Sequence, residues 1–451
     1  MANVSFVGAA DEDRKRLLRE LGVDRVDALF ADIPAALQTG DFAIPSGVTE
    51  LEMLQGMRAL AGRNAARLVN FCGAGFYDHF IPAAVDALAA RGEFLTAYTP
   101  YQPEASQGTL QAVYEYQTAI ARITGMDVAN ASLYDGGTAL FEAVTMAVRC
   151  AGRRRRVLVC EGVSPIYRAM LRCHAGLLPI AIEEIPMTPE GGTDCAAFRA
   201  RLNGETAAVV LALPGFTGTV EDHSELIDAA HAAGALAVVT AYPVALGILR
   251  TPGAMGADIV TGEGQSLGIP LAFGGPYLGF MATRKTWVRR MPGRIAGATH
   301  DAQGRRGFVL TLQAREQHIR REKATSNICT NEAHCALRAL IFLALLGRQG
   351  FVELAETCAA RAAYACERLC AIPGVRRAYP QPFFNEFTLA LPADASDLVS
   401  RLLDRGIAAG FPLSRYYRDA ERLLLVAVTE KRTREEIDVL AARLEGALRG
   451  R

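Results

Sequence analysis

The sequence predicts an α/β protein, with a large domain built on a mostly parallel sheet and a smaller C-terminal α+β domain. Three observations carry this reading. Between residues 157 and 282 short apolar runs alternate with helical segments, the pattern of helices laid over a parallel sheet. Beyond Thr330 the order changes to two consecutive helical patterns and then mixed strands and helices. At 451 residues, 51% hydrophobic and 21% charged, the chain is long enough for more than one core.

The elements follow in order. Residues 1–81 read as an N-terminal helical arm: 12–21 is amphipathic, Ile44-Pro45-Ser46-Gly47 is a break, and Thr49 is an N-cap residue before a second helix. Residues 82–330 form the large domain. It opens with two long helical patterns up to Arg149, punctuated by the turn-rich segments 98–103 and 134–137. The runs 157–160, 207–213, 235–239, 259–260 and 279–282 are its strands, with 221–233 helical between two of them. Residues 331–451 form the small domain, with helices at 332–346, 352–369, 395–405 and 433–448 and strands at 387–391 and 423–428.

Composition excludes several functions. The 48 basic and 48 acidic side chains cancel, so no net field draws the chain to nucleic acid or an anionic membrane. No uninterrupted apolar run is long enough to span a bilayer and the start lacks a secretory apolar core, which predicts a cytoplasmic protein. The ten cysteines show no Cys-x-x-Cys pair and no metal-ligand spacing with the seven histidines, so no metal is expected. Lys15, Lys285, Lys323 and Lys431 are the only lysines. Chemistry that needs an amine nucleophile has four candidates.

Two glycine-rich stretches invite a ligand. Asp135-Gly136-Gly137-Thr138 leads into a helix, and its glycines, unpaired N–H groups and hydroxyl suit a phosphate; a tight turn capping the helix fits the same residues. Residues 261–268, reading TGEGQSLG, follow a strand and bring backbone close to a ligand or a packed surface. The cluster 315–323 reads as a charged helix face. Tyr98, Tyr101 and His79 are polar aromatics beside glycine or proline, of the kind that line clefts.

Together these segments resemble one family, glycine dehydrogenase (decarboxylating) subunit 1, the N-terminal-half subunit of the split P-protein of the glycine cleavage system. The resemblance is carried by residues 92–104 (GEFLTAYTPYQPE), 131–140 (ASLYDGGTAL), 256–260 (GADIV) onward to Gly279, 312–321 (LQAREQHIRR) and 323–328 (KATSNI). It implies fold type I pyridoxal-phosphate-dependent architecture. It also implies a reaction in which glycine is decarboxylated and its aminomethyl group passes to the lipoyl arm of the H-protein. That reaction needs a lysine to hold the cofactor and an acid beside the pyridine nitrogen.

Matched without gaps to the family's catalytic half, this chain has Ser266 at the lysine, Gln265 at the preceding histidine and Val239 at the acid; nearby Tyr242 is no acid near neutral pH. The resemblance therefore implies a non-Schiff-base subunit whose pyridoxal phosphate sits in a partner, glycine dehydrogenase subunit 2, in αβ pairs that assemble as α2β2 and serve the lipoylated H-protein. Tyr98, Tyr101 and His79 are expected at a shared cleft, with Asn327 and Asn385 beside them. Asp135, Gly136, Gly137 and Thr138 would be a relic of the phosphate cup. Two rivals remain: a self-sufficient enzyme of the same fold using Lys323, and a purely structural assembly subunit.

Overall fold

In a computed structural model of the chain, residues 11–38, 43–65, 67–272, 274–329 and 332–450 are described. The opening residues 1–10 lie outside them. The chain divides into two compact units, Met1–Ala66 and Arg67–Arg451. In the first, Asp11–Glu20 and Glu50–Ala61 are helices. Thr49 caps the second in a reciprocal box: its hydroxyl accepts the Glu52 N–H at 3.3 Å while the Glu52 carboxylate accepts the Thr49 N–H at 2.8 Å. No described residue of this unit is buried, and Leu51, Leu54, Met57 and Leu60 are exposed.

The arm is shorter than expected. Residues 67–81 belong to the second unit, where Val69–Asn70 pairs in parallel with Ile407–Ala408 and Phe71 is fully buried in the C-terminal core. The apolar Phe71 side chain finds cover only there.

The main sheet has seven strands in the order Val128–Ala129, Gly279–Thr283, Ile259–Glu263, Leu236–Ala241, Thr206–Leu213, Arg156–Cys160, Ala181–Ile185. The last five run parallel; the first two add antiparallel pairs at one side. Alternation along the central strands feeds two cores. Val209, Leu211, Val239 and Val260 enter one, while Val210, Val238, Ile259 and Met281 enter the other. Both faces are covered, as a parallel sheet requires.

The small domain holds an antiparallel sheet, in the order Arg376–Arg377, Glu386–Ala390, Leu423–Ala427, Phe411–Pro412, with helices Ala395–Leu403 and Arg434–Leu448 contributing to its core. The helix Ala333–Cys370 leads into it and breaks at Gly347, whose φ of 60° and ψ of −172° lie outside helical space. The two expected helices fall on either side. By length and composition this helix could cross a membrane, yet Ala339 and Phe342 are buried in the first core and Cys366 and Leu369 in the small-domain core.

Residues 315–323 do not form the charged helix face expected of them. They make short turns, Gln313–Arg315, Gln317–Arg320 and Arg321–Lys323, with Leu312 at φ 54° and Arg321 at φ 52° interrupting. Glu316 pairs with Arg294 at 3.3 Å instead of with a helical neighbour.

Candidate functional site

Parallel sheets leave a crevice beyond the carboxyl ends of their strands, at the point where the strand order reverses. Here the chain leaves Arg156–Cys160 for the sheet edge and returns on its other side as Thr206–Leu213. A cleft of about 610 Å³ opens at that point. Gly162 and Ser164, Pro214 and Gly215, Thr240 and Tyr242, and Glu263 line it from the strand ends; Asn385 and Glu386 close it from the small domain.

Glu386 is 5% exposed. Its carboxylate accepts the Ala74 N–H and the Tyr77 hydroxyl, both at 2.7 Å. Burial outweighs these bonds and pushes its pKa up to about 7. The Tyr77 ring lies 4.3 Å from the Tyr242 ring, and the Tyr242 hydroxyl meets His79 Nε2. His79 Nδ1 in turn lies 2.7 Å from the Glu430 carboxylate, which also accepts the Phe80 N–H at 2.6 Å and the Cys358 thiol at 3.4 Å. Burial raises Glu430, but the His79 and Phe80 bonds together hold it below the usual carboxylate range. His79, Cys358 and Glu430 offer donor atoms within 4.8 Å of one another, the spacing of a metal cluster, but each is already engaged by hydrogen bonds.

The loop Asp135 to Thr138 caps its helix, Gly136–Cys150. The Asp135 carboxylate accepts the Thr138 N–H at 2.8 Å, and the Thr138 hydroxyl accepts the Asp135 N–H at 3.2 Å. The Gly136 N–H donates to Glu263 at 2.9 Å. The other oxygen of Glu263 accepts the N–H groups of Gln265 and Leu278, each at 3.0 Å. Burial drives Glu263 up to about 7 against these three bonds.

Ser266 is 2% exposed, its hydroxyl has no partner among the described residues, and it is not part of the cleft lining. Gln265 is a tether: its side-chain amide exchanges bonds of 2.9 and 3.1 Å with the Tyr77 backbone and donates to Ile269 O at 2.8 Å. Val239, matched to the acid position, is fully buried in mid-strand between Leu211 and Val260; Thr240, Ala241 and Tyr242 are the residues of that strand end that reach the cleft.

The residues expected at one shared cleft lie in two places. His79 and Asn385 belong to the first cleft: His79 is buried behind Tyr242, and Asn385 is 1% exposed with its Nδ2 unpartnered among the described residues. Tyr98 lines a second cavity of about 1240 Å³, together with Tyr116, Arg294, Glu332 and His334. Its ring is 74% exposed and its hydroxyl is 3.7 Å from Cys329 Sγ. Tyr101 sits beside it, accepting from Arg294 at 2.9 Å with the His318 ring at 5.8 Å. Asn327 is exposed on the same 312–329 segment, which Tyr134 fixes by accepting the Cys329 N–H at 2.8 Å.

Sequence reasoning missed Glu263, Glu386 and the role of Tyr242. A lone glutamate at the end of an apolar strand, followed by Gly264, was the available signal for Glu263.

The cleft does not fit pyridoxal phosphate. No lysine lines it, the 240–242 strand end offers a threonine and a tyrosine where a carboxylate is needed, and a carboxylate already holds the helix start where the phosphate would sit. Lys285 and Lys323 are exposed and Lys431 pairs with Asp78 at 2.6 Å.

The family model of the glycine cleavage system P-protein matches residues 4–444. A protein of Geotalea uraniireducens named probable glycine dehydrogenase (decarboxylating) subunit 1 is 55% identical over 446 residues, 99% of this chain and 100% of its own. A crystal structure of glycine decarboxylase (P-protein) of the glycine cleavage system, in inhibitor-bound form, superposes with a TM-score of 0.89 at 44% identity, covering 98% of this chain and 100% of that one. A sphingosine-1-phosphate lyase of Burkholderia pseudomallei shares the fold alone, with a TM-score of 0.66 at 16% identity over 92% of this chain and 94% of its own. A chain matched by that family model nearly end to end, with the fold type I architecture and a full-length likeness to subunit 1, belongs to the glycine cleavage system P-protein family.

Proposed function

We propose that this chain is the non-Schiff-base subunit of a cytoplasmic two-chain glycine decarboxylase. It pairs with a subunit 2 that holds pyridoxal phosphate, in αβ units that assemble as α2β2. The pair decarboxylates glycine and passes the aminomethyl group to the lipoyl arm of the H-protein. One observation carries the reading: no lysine lines either cavity, and the residue that the match to the family's catalytic half sets against its cofactor-holding lysine is Ser266, a buried hydroxyl.

Bound in the companion, pyridoxal phosphate supplies the electron sink for loss of CO₂. The part of this chain is to shape the approach. Tyr98, Tyr101 and Asn327 stand on an exposed face that two of the family's sequence blocks build together, and Arg294 orients Tyr101 by both a hydrogen bond and a cation–π contact at 5.4 Å. Covered by the companion, this face would close glycine and the lipoyl arm off from water and offer hydroxyl and amide groups to them.

The test is reduction with borohydride in the presence of pyridoxal phosphate, followed by mass measurement of each chain. The companion gains the cofactor's mass and this chain does not. A pyridoxyl adduct on any lysine of this chain overturns the reading.

A further inference from the structure

The Glu263 carboxylate is bound as a ligand would be. It collects main-chain N–H groups from three separate places: Gly136 at the start of the Gly136–Cys150 helix at 2.9 Å, and Gln265 and Leu278 at 3.0 Å each. Backbone amides converging from a helix N-terminus and a glycine-rich turn are an anion receptor. No basic side chain takes part; among the described residues Glu263 enters no ion pair. The side chain is 6% exposed.

The surrounding wall fits this occupant. A Cβ on Gly136 would run into the Tyr167 hydroxyl and stand 3.1 Å from Cβ of Glu263, and one on Gly137 would stand 2.8 Å from Cε of Met170. Tyr167 and Met170, both on the helix Pro165–Ala175, therefore press the two glycines of the loop from outside while Glu263 fills the seat from within. The residue is also pinned from behind, since a Cβ on Gly264 would be 2.9 Å from Leu278 Cδ2.

We infer that the Glu263 carboxyl occupies the seat that the Asp135 to Thr138 loop would otherwise offer to a phosphate group, and so bars phosphate-bearing ligands from this cleft. The absent lysine removes covalent attachment, whereas Glu263 removes the non-covalent seat. The inference deepens the non-Schiff-base reading but is tested separately from it, because it concerns phosphate and not imine chemistry.

The test uses the full chain and inorganic phosphate as the probe. Wild type titrated by calorimetry takes up no phosphate in a saturable way. Glu263→Ala, checked for native circular dichroism, binds one phosphate per chain, and a crystal of that complex places the ion on the Gly136 amide. Glu263→Gln, which keeps the bulk in the seat although its NH2 replaces one acceptor, binds none once its circular dichroism is shown to be native. A folded Glu263→Ala that takes up no phosphate, or a wild type that binds it as well as the variant does, overturns the inference. Should Glu263→Ala fail to fold, refolding it in sodium formate against sodium chloride at equal ionic strength decides: recovery in formate alone supports an anion seat, and equal failure in both overturns it.

Discussion

His79 holds Nδ1 2.7 Å from the Glu430 carboxylate and turns Nε2 to the Tyr242 hydroxyl, so that a carboxylate, an imidazole and a phenol lie in line behind the first cleft. Three distant stretches of chain are fixed by this one line: the strip after Arg67, the end of Leu236–Ala241, and the turn after Leu423–Ala427. Polar groups this deep are costly unless each finds its partner.

Glu430→Gln tests that line, since it keeps the side chain's size and removes its charge. The expected loss is about 2–3 kcal/mol, the range for a buried hydrogen bond to a charged group. Urea unfolding measures it. A midpoint unchanged from wild type would show that the line contributes nothing to stability.

The pH dependence follows from the two raised carboxyls. Burial first, opposed by their hydrogen bonds, puts Glu263 and Glu386 at about 7 in the folded chain against an ordinary 4.5. Between these values the folded state binds more protons than the unfolded one, so their contribution to stability falls as pH rises through about 7. Glu430 runs the other way: its depressed pKa gives stability present above its unfolded value and lost as pH falls through the folded one. Each raised group is worth at most about 3 kcal/mol over that range. Glu386→Gln should flatten the fall in unfolding free energy between about pH 5 and pH 8, because the amide can serve both Ala74 and Tyr77 without charge. An identical slope in variant and wild type would refute the assignment to Glu386.

Much of the fold could be read from patterning, because the central strands carry apolar runs whose two faces both find cover. The strand Ala181–Ile185 escaped because Glu183 and Glu184 interrupt it; at the sheet edge they are served by Arg156, Arg168 and Arg172. Val128–Ala129 escaped because two residues make no pattern. The site was harder. The gap-free match to the family's catalytic half put the acid position at Val239, but strand register sinks that side chain into the core and leaves the following residues, Thr240 to Tyr242, at the cleft. Likewise His79 and Tyr98 both carry the family's pattern, yet one is buried behind Tyr242 and the other stands open on a different cavity.

Two glycines should respond differently to the same change. Gly218 has φ 90°, and a Cβ there would collide with the Glu386 carbonyl and lie 3.1 Å from Cα of Phe387. Gly218→Ala is expected to cost about 3 kcal/mol or more, combining strain with a backbone clash. Gly347, at φ 60° and ψ −172°, meets nothing within 4 Å among the described residues, so Gly347→Ala carries only the conformational cost of about 1–3 kcal/mol. Thermal unfolding of both variants should rank them in that order; the reverse order would contradict the packing described at Gly218.

Tyr98→Phe separates function from folding. With the ring 74% exposed, the isolated chain should keep its stability within about 0.5 kcal/mol. Assembled with its companion and supplied with H-protein, the variant should decarboxylate glycine about tenfold more slowly, a barrier increase of about 1.4 kcal/mol, with the companion's cofactor absorbance intact. Unaltered turnover would remove Tyr98 from the reaction.

The pairing of Val69–Asn70 with Ile407–Ala408 has a consequence for biosynthesis. These partners are 338 residues apart, so at ordinary elongation rates the first waits about 20–70 s on the ribosome before the second is made. Throughout that interval the core around Phe71 is incomplete, and a translation product cut short before Ile407 lacks the strand that pairs with Val69–Asn70. The early segment is thus joined to its strand partner only after nine-tenths of the polypeptide has left the ribosome.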